Sequence, residues 1–333
     1  MSADSDVSTA AGGPVRVGTR ASALALAQSG RAAESLVGKG GFELVRVTTQ
    51  GDRDRTSPLA SLGGTGVFVT AVREALLTGE VDLVVHSLKD LPTSPAEGIE
   101  LACIPPRADA RDALCSRDGA DGPTLAQLPR GARVGTGSPR RGAQLLRARP
   151  DLEVVGIRGN VETRLSRAQG PEADLDAVVL AAAGLLRLGR DAVITELLDP
   201  AVVLPAPAQG ALAIEVRSGD SRLADACAAV DDPGTRACVS AERSLLRTLE
   251  AGCSAPVAAH ATLGDGTRSS GGIRNHADSA PTSLTLRALA ISPDGTTVVE
   301  DSASGDPVDA ERIGRELAQR LIEQGADAIL EAS

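Results

Sequence analysis

The stretch ARVGTGSPRRGAQLLRA, residues 132–148, decides how this chain is read. Its first five residues suit a short strand, two glycines break the run, and a helix follows from about Pro139 to Ala148. Ser138 is a natural N-cap and Pro139 fits the first helical turn, where its missing N–H costs nothing. Such a helix start offers unpaired N–H groups and a partial positive charge, and Arg140 and Arg141 add two forked donors. That is an anion site in outline. The plain alternative is a capped helix with solvent-facing arginines. The glycines make no dinucleotide fingerprint, because the third position falls on Arg140.

The same design recurs outward along the chain. IRGNVETRL (157–165) is a strand end and a glycine turn leading into a helix, with Arg158 in the loop and Arg164 on the helix. VRVGTR (15–20) places Arg16 and Arg20 on either side of the first strand-to-loop turn, and Ser22 opens the next helix. VVHSLKD (84–90) sets Lys89 beside Asp90 at a strand end. LEAGCSAP (249–256) puts Cys253 just after a helix, in a glycine-broken loop. Open α/β sheets bind ligands outside the C-terminal ends of their strands, so arginine corners there point to a polyanion, a polycarboxylate first. Asp90 among arginines is expected to stay ionised, which suits stabilising a developing cation and passing protons. Each feature has a duller reading on spacing alone: solvated arginines, a structural salt bridge for Asp90, a small buried hydrophobe for Cys253.

At 333 residues the chain exceeds what one core usually serves, and two or three domains are expected. Residues 1–13 read as a disordered Ser/Ala/Asp/Gly tail and not a signal peptide, with a cytoplasmic address as the default. The βα alternation begins at residue 14. It runs through a helix at Ser22–Val37, a strand at Phe42–Thr49, an aperiodic loop at 50–65, a helix at Val67–Leu77 and a strand at Val81–His86. Prolines 105 and 106 mark a crossover, and Leu204–Ala208 the return. The expected division is 14–105 with 207–228, then 106–206, then 229–333. The first two are α/β domains with parallel, doubly wound sheets. The third is a smaller α+β domain, with β-like segments at Val257–Leu263, Ser283–Ile291 and Thr296–Val299, closed by an amphipathic helix at Val308–Glu323. A Gly/Ser/Asn-rich insert at 264–281 reads as an exposed loop.

Composition excludes several classes. A net charge of −10 argues against nucleic acid as a partner, and no apolar run is long enough to span a membrane. Five cysteines without a C-x-x-C pair and only three histidines suggest neither a disulfide framework nor a metal site. The cations are 32 Arg and two Lys, Lys39 and Lys89, which makes a lysine kept at position 89 noteworthy.

Taken in order, the motifs resemble the porphobilinogen deaminase (hydroxymethylbilane synthase) family. They are VRVGTRASALALAQ (15–28), TQGD (49–52), VHSLKDLP (85–92), GTGSPRR (135–141), IRGNVETRL (157–165), LAAAGLLRLG (180–189), PAPAQGALAIE (205–215) and LEAGCSAP (249–256). The resemblance spans about Val15 to Leu330. It implies two domains of type II periplasmic-binding-protein architecture and a third carrying the cofactor. It further implies that Cys253 forms a thioether to a dipyrromethane, on which four porphobilinogens condense with loss of ammonia before hydroxymethylbilane is released.

On the family pattern Lys89, Asp90, Ser138, Arg140, Arg141 and Arg164 serve the cofactor, while Arg20, Ser22, Arg158, Arg164 and Arg187 hold the substrate. Asp90 would be the catalytic residue, facing pyrrole N–H groups and the azafulvenium cation formed on deamination. No metal is implied, and a monomer is the family expectation. Each pyrrole brings an acetate and a propionate, which is the ligand chemistry the arginine corners ask for. The chain departs from the family where Ser61 and Thr65 replace loop lysines, leaving Arg53 or Arg55 to act there, and in the 264–281 insert. Phe68 matches a family Phe near the cofactor and equally suits an ordinary core. Two rival readings use the same residues: a two-lobed, non-catalytic solute-binding or sensor domain for a small polycarboxylate, and an aldolase-like enzyme with Lys89 as a Schiff-base lysine.

Overall fold

A computed structural model describes residues 13–47, 66–252, 255–264 and 283–332, with the side chains of residues 66–68 excepted. The tail before Gly13, the 50–65 loop with Arg53, Arg55, Ser61 and Thr65, the Phe68 side chain, Cys253 and the insert beyond Gly264 lie outside the described residues. Two compact units emerge. One comprises Met1–Ala108, Leu186–Gly189 and Gly210–Asp232, the other Asp109–Leu185, Arg190–Gln209 and Pro233–Ser333.

In the first unit, strands β1 (Val15–Thr19), β2 (Phe42–Arg46), β3 (Leu83–Ser87), β4 (Ile99–Cys103) and β10 (Leu212–Arg217) form a sheet of order β2-β1-β3-β10-β4. β1 is parallel to β2 and β3, whereas β10 runs antiparallel to β3 and β4. Helices α1 (Ala23–Val37) and α6 (Ala224–Val230) cover one face over Val17, Leu83, Ile214 and Val216. Helix α2 (Gly66–Leu77) covers the other over Val81 and Val84. Side chains alternate across a strand, so near-continuous apolar runs such as Leu83–Val85 feed both cores.

The second unit repeats this layout. Strands β5 (Asp112–Ser116), β6 (Arg133–Thr136), β7 (Glu153–Gly156), β8 (Ala177–Ala181) and β9 (Glu196–Leu197) stand in the order β7-β6-β8-β5-β9. β6 is parallel to β7 and β8, and β5 is antiparallel to β8 and β9. Helices α3 (Pro139–Ala148), α4 (Val161–Gln169) and α5 (Ala182–Arg187) follow β6, β7 and β8. A separate antiparallel sheet, β11 (Val257–Gly264), β12 (Ser283–Ile291) and β13 (Val298–Gly305), packs under α7 (Pro233–Thr248), α8 (Ala310–Glu323) and α9 (Ala326–Glu331). Its opposite face buries Ala258, Leu289 and Ile291 against Ala143 of α3 and Leu204.

The sheets are α/β and doubly wound, yet mixed and not purely parallel. In each, the crossing segment enters as an antiparallel strand, which a local βαβ pattern does not reveal. β13 starts two residues later and runs six residues further than the expected Thr296–Val299, since Glu300, Asp301, Ser302 and Ser304 obscure its apolar pattern on a half-open strand. β4, β5, β9, α5, α6 and α9 are not foreseen: all are short, and α5 continues directly from the apolar run of β8.

Helices α7 and α8 pack backbone to backbone. A β-carbon at Gly314 would collide with the Ala241 carbonyl oxygen and sit 3.0 Å from the Leu245 nitrogen. Gly314→Ala is therefore expected to lose about 1–3 kcal/mol despite alanine's better helix propensity, read as a lower urea midpoint at unchanged slope.

Candidate active site

Parallel neighbours end at the same sheet edge. In the first unit, β1 and β3 therefore bring the corners after Thr19 and Ser87 side by side. At the first corner Ser22 caps α1, its Oγ accepting from the Ala25 N–H at 3.2 Å, and Arg20 is half-buried in the turn before it. At the second, Leu88–Asp90 forms one 3-10 turn with Leu88 buried, Lys89 half-buried and Asp90 exposed. The corner is tied down by the Leu88 N–H, which donates to the Ala211 carbonyl at 3.0 Å, and by Ser87 Oγ, which donates to Gln28 Oε1 of α1 at 3.1 Å. Behind it, Glu215 on β10 accepts two bonds from Arg73, at 2.9 and 2.6 Å, and its Oε2 lies 3.2 Å from His86 Nε2. Burial pushes the Glu215 carboxyl up, but Arg73 and His86 outweigh it and hold it at about 2.

Arg187, at the end of α5, belongs to this unit and donates to the Gly210 carbonyl at 2.6 Å. Burial, with the like charge of Arg31, pushes its guanidinium down to about 10. A cation so placed favours an incoming carboxylate. Arg16, in contrast, does not face this edge. It sits at the start of β1, where its side chain donates to both Asp82 oxygens at 3.1 and 2.9 Å. The expectation that it flanks the ligand turn is corrected: the strand's length separates it from Arg20.

In the second unit the corners after β6 and β7 share an edge in the same way. Ser138 caps α3 as expected, its Oγ accepting from the Arg141 N–H at 3.4 Å, with Pro139 in the first turn. Asn160 caps α4 by accepting from Thr163 N–H at 2.9 Å. Gly159 holds φ +105°, and a β-carbon there would sit 2.8 Å from Thr163, so the turn before α4 requires glycine. Arg164 is half-buried, and its Nε donates to the Gly159 carbonyl at 2.8 Å. Arg158 is exposed and makes no bond to another described residue.

Arg140 and Arg141 are different. They are 3% and 5% exposed and already share a carboxylate, that of the fully buried Asp112. Arg140 donates to Asp112 Oδ2 at 2.7 Å and to the Leu204 carbonyl at 2.5 Å. Arg141 donates through Nε to Asp112 Oδ1 at 2.9 Å and through a terminal nitrogen to Gln209 Oε1 at 3.2 Å. Gln209 returns its amide to Asp112 Oδ1 at 2.7 Å. Burial pushes the Asp112 carboxyl up, yet the two guanidiniums prevail and hold it well below the usual carboxylate range. The cluster keeps one net positive charge at the start of α3. Asp112 and Gln209 were not found from sequence. An Asp before the apolar residues Ala113–Cys115 carries no local signal, and its place follows only from β5 running antiparallel to β8.

The residues after 14 match two family models in succession. One is described as "Porphobilinogen deaminase, dipyromethane cofactor binding domain" and covers residues 15–225. The other, "Porphobilinogen deaminase, C-terminal domain", covers residues 236–323. The chain belongs to the porphobilinogen deaminase family. Relatives named porphobilinogen deaminase include one from Micrococcus luteus, 48% identical over 95% of this chain and 94% of its own. One from Leifsonia xyli subsp. xyli is 52% identical over 89% and 85%, and one from Thermobifida fusca 50% identical over 95% and 96%. Similar solved structures include an ancestral cationic amino acid solute binding protein, 16% identical, covering 65% of this chain and 89% of that one at a TM-score of 0.38. A cysteine-binding protein from Campylobacter jejuni is 15% identical, covering 64% and 79% at a TM-score of 0.30. Among the described residues no helix is long and apolar enough to cross a membrane, and no acidic, His or Cys cluster could hold a metal.

Asp112→Asn leaves two buried guanidiniums without a counter-charge and is expected to cost about 3–5 kcal/mol in a urea titration. Asp112 and Glu215 both titrate in the fold below their unfolded values of about 4, so each stabilises fully above that pH. That stability is lost as pH falls through the acid range. Unfolding midpoints from pH 6 to 2.5 should drop more steeply for the wild type than for Asp112→Asn.

Proposed function

We propose that this chain condenses four porphobilinogen molecules, each losing ammonia, onto a dipyrromethane primer held as a thioether on Cys253, and releases hydroxymethylbilane. The observation that carries this is the pair of deaminase family models covering 15–225 and 236–323, which include every arginine corner and the Cys253 segment. The donor set suits the group: cationic corners at strand ends, an exposed Arg158, and an Arg187 short of negative charge. When bound, the dipyrromethane supplies a pyrrole nucleophile that stays with the enzyme between turnovers.

The protein's own part is holding carboxylates and moving protons. Lys89, Ser138 and Arg164 meet the primer's carboxylates directly, while Arg140 and Arg141 add the net positive charge of their cluster with Asp112. Arg20, Ser22, Arg158, Arg164 and Arg187 hold the carboxylates of the incoming substrate. Asp90, exposed at its turn, faces pyrrole N–H groups, stabilises positive charge as ammonia leaves and takes up the proton released on coupling. The four described cysteines are buried, which keeps their sulfurs from an incoming substrate, and burial also pushes the Cys115 thiol up to about 12. A cytoplasmic monomer with porphobilinogen as its small-molecule partner, and neither nucleic acid nor membrane, completes the proposal. A solute-binding domain without a reaction leaves the sheet β11–β13, within the matched C-terminal domain, without a role. Lys89 as a Schiff-base lysine has no carbonyl substrate in this chemistry.

Intact mass tests the attachment. The purified protein should exceed its sequence mass by two linked pyrrole units, and Cys253→Ser should lose that surplus. An unmodified mass that persists after incubation with porphobilinogen rejects the assignment. Asp90→Asn should fold normally and lose roughly 30- to 1,000-fold in kcat, the effect of about 2–4 kcal/mol from one preorganised charge. Arg158→Ala should chiefly raise KM for porphobilinogen, since it removes binding to the substrate's carboxylates.

A further inference from the structure

Asp90 is exposed, so its direction is set by its backbone, and its backbone by whatever anchors the end of β3. Successive residues of β3 face opposite sides of the sheet. Ser87 points to the α1 face and is held there by Gln28. Alternation along β3 puts His86 on the side of Val84, the face that packs on α2 over the buried Val72 and Leu76. On that apolar face stand three polar side chains from three elements: His86 of β3, Glu215 of β10 and Arg73 of α2. Their side chains are 9%, 3% and 15% exposed.

Arg73 alone gives Glu215 a two-pronged partner. The imidazole is an addition to a pair already complete. Its Nε2 is buried 3.2 Å from Glu215 Oε2, on a line too bent for a straight hydrogen bond, and it has no other bond among the described residues. An apolar side chain in its place would fill the same space without that polar burden. What the polar contact adds is direction. Apolar surfaces slide past each other at small cost, whereas a polar contact between β3 and β10 favours one register. In this register His86 stands opposite Ala213, and Glu215 opposite Val84, so the contact runs diagonally across the pair.

We propose that His86, Glu215 and Arg73 form a positioning triad that locks the Ser87–Asp90 corner to β10 and α2 and so aims the Asp90 carboxylate. His86 is the member that matters to the corner, Glu215 the shared anchor, and Arg73 the counter-charge that keeps the anchor ionised. None of the three touches substrate. The inference rests on Asp90 acting as proposed above.

His86→Ala removes the polar hold on the α2 face while leaving the Arg73–Glu215 pair and the Leu88 and Ser87 ties intact. It should load the primer fully by intact mass and melt within a few degrees of wild type. Its kcat should fall ~10- to 100-fold, the effect of a small misplacement, with KM for porphobilinogen little changed. His86→Gln, which can still donate toward Glu215, should restore most of the loss. Glu215→Asp, which keeps the charge but withdraws the anchor by one methylene, should reproduce the kcat loss even if His86→Ala proves unstable. Wild-type kcat in His86→Ala or in Glu215→Asp, or a loss confined to KM, overturns the triad. Asp90→Asn assayed alongside separates the claims. If it turns over at the wild-type rate, the role of Asp90 falls and the triad with it. If it is inactive beside a fully active His86→Ala, the triad alone is wrong.

Discussion

Asp112 has no exposed surface, and its two oxygens carry Arg140, Arg141 and Gln209. Taking three charges out of water is costly, and only near-complete hydrogen bonding makes it tolerable. The second unit is arranged to provide this. β5 runs against β8, so its first residue lies at the edge where β6 and β8 finish and α3 begins. The return crossing brings Gln209 to the same spot, and Gln144 of α3 bonds both the N–H and the carbonyl of Leu204 beside it. On the proposed function, a carboxylate at this helix start meets a charge fixed in place before it arrives, which spares the cost of ordering two long side chains.

The first unit meets the same need with different groups. There β10 is the antiparallel strand, and its beginning lies against the end of β3, where Ala211 accepts from Leu88. The polar cluster behind the edge is Glu215 with Arg73 and His86. In both sheets a strand from the crossing delivers a buried carboxylate behind a basic corner at the strand ends, and arginine neutralises it. Repetition of one layout in two sheets explains why the basic corners look alike in sequence.

Much of this was legible in the residues themselves. GTGSPRR announced its strand, cap and helix, because glycine, serine and proline act through local backbone geometry, and Ser138 caps α3 as its position dictates. The helix at Pro139–Ala148 and the strand at Ser283–Ile291 match their expected limits. What stayed hidden was set by partners far along the chain. Nothing near Asp112 shows that two arginines 28 and 29 residues later will enclose it. Arg16 and Arg20 look equivalent in sequence, yet one lies at each end of a five-residue strand and only the second stands at the C-terminal edge of the sheet. The register that turns β5 and β10 against their neighbours is likewise a long-range property. Cys253 was reached through family likeness and not through any local chemistry.

The unequal placement of the two crossing strands has a consequence for a chain made from its N-terminus. β5 precedes the strands it joins, so the second sheet holds every member once Leu197 has emerged. β10 follows its partners, and the first sheet waits for Arg217. During that interval the edge of β3, with the His86 side chain and the Asp90 turn, has no neighbour on its β10 side. An open edge of apolar strand is a template for wrong pairing. Of the two doubly wound sheets, the one begun first is thus the last to close, and during biosynthesis its vulnerable seam is the one that later carries the Asp90 turn.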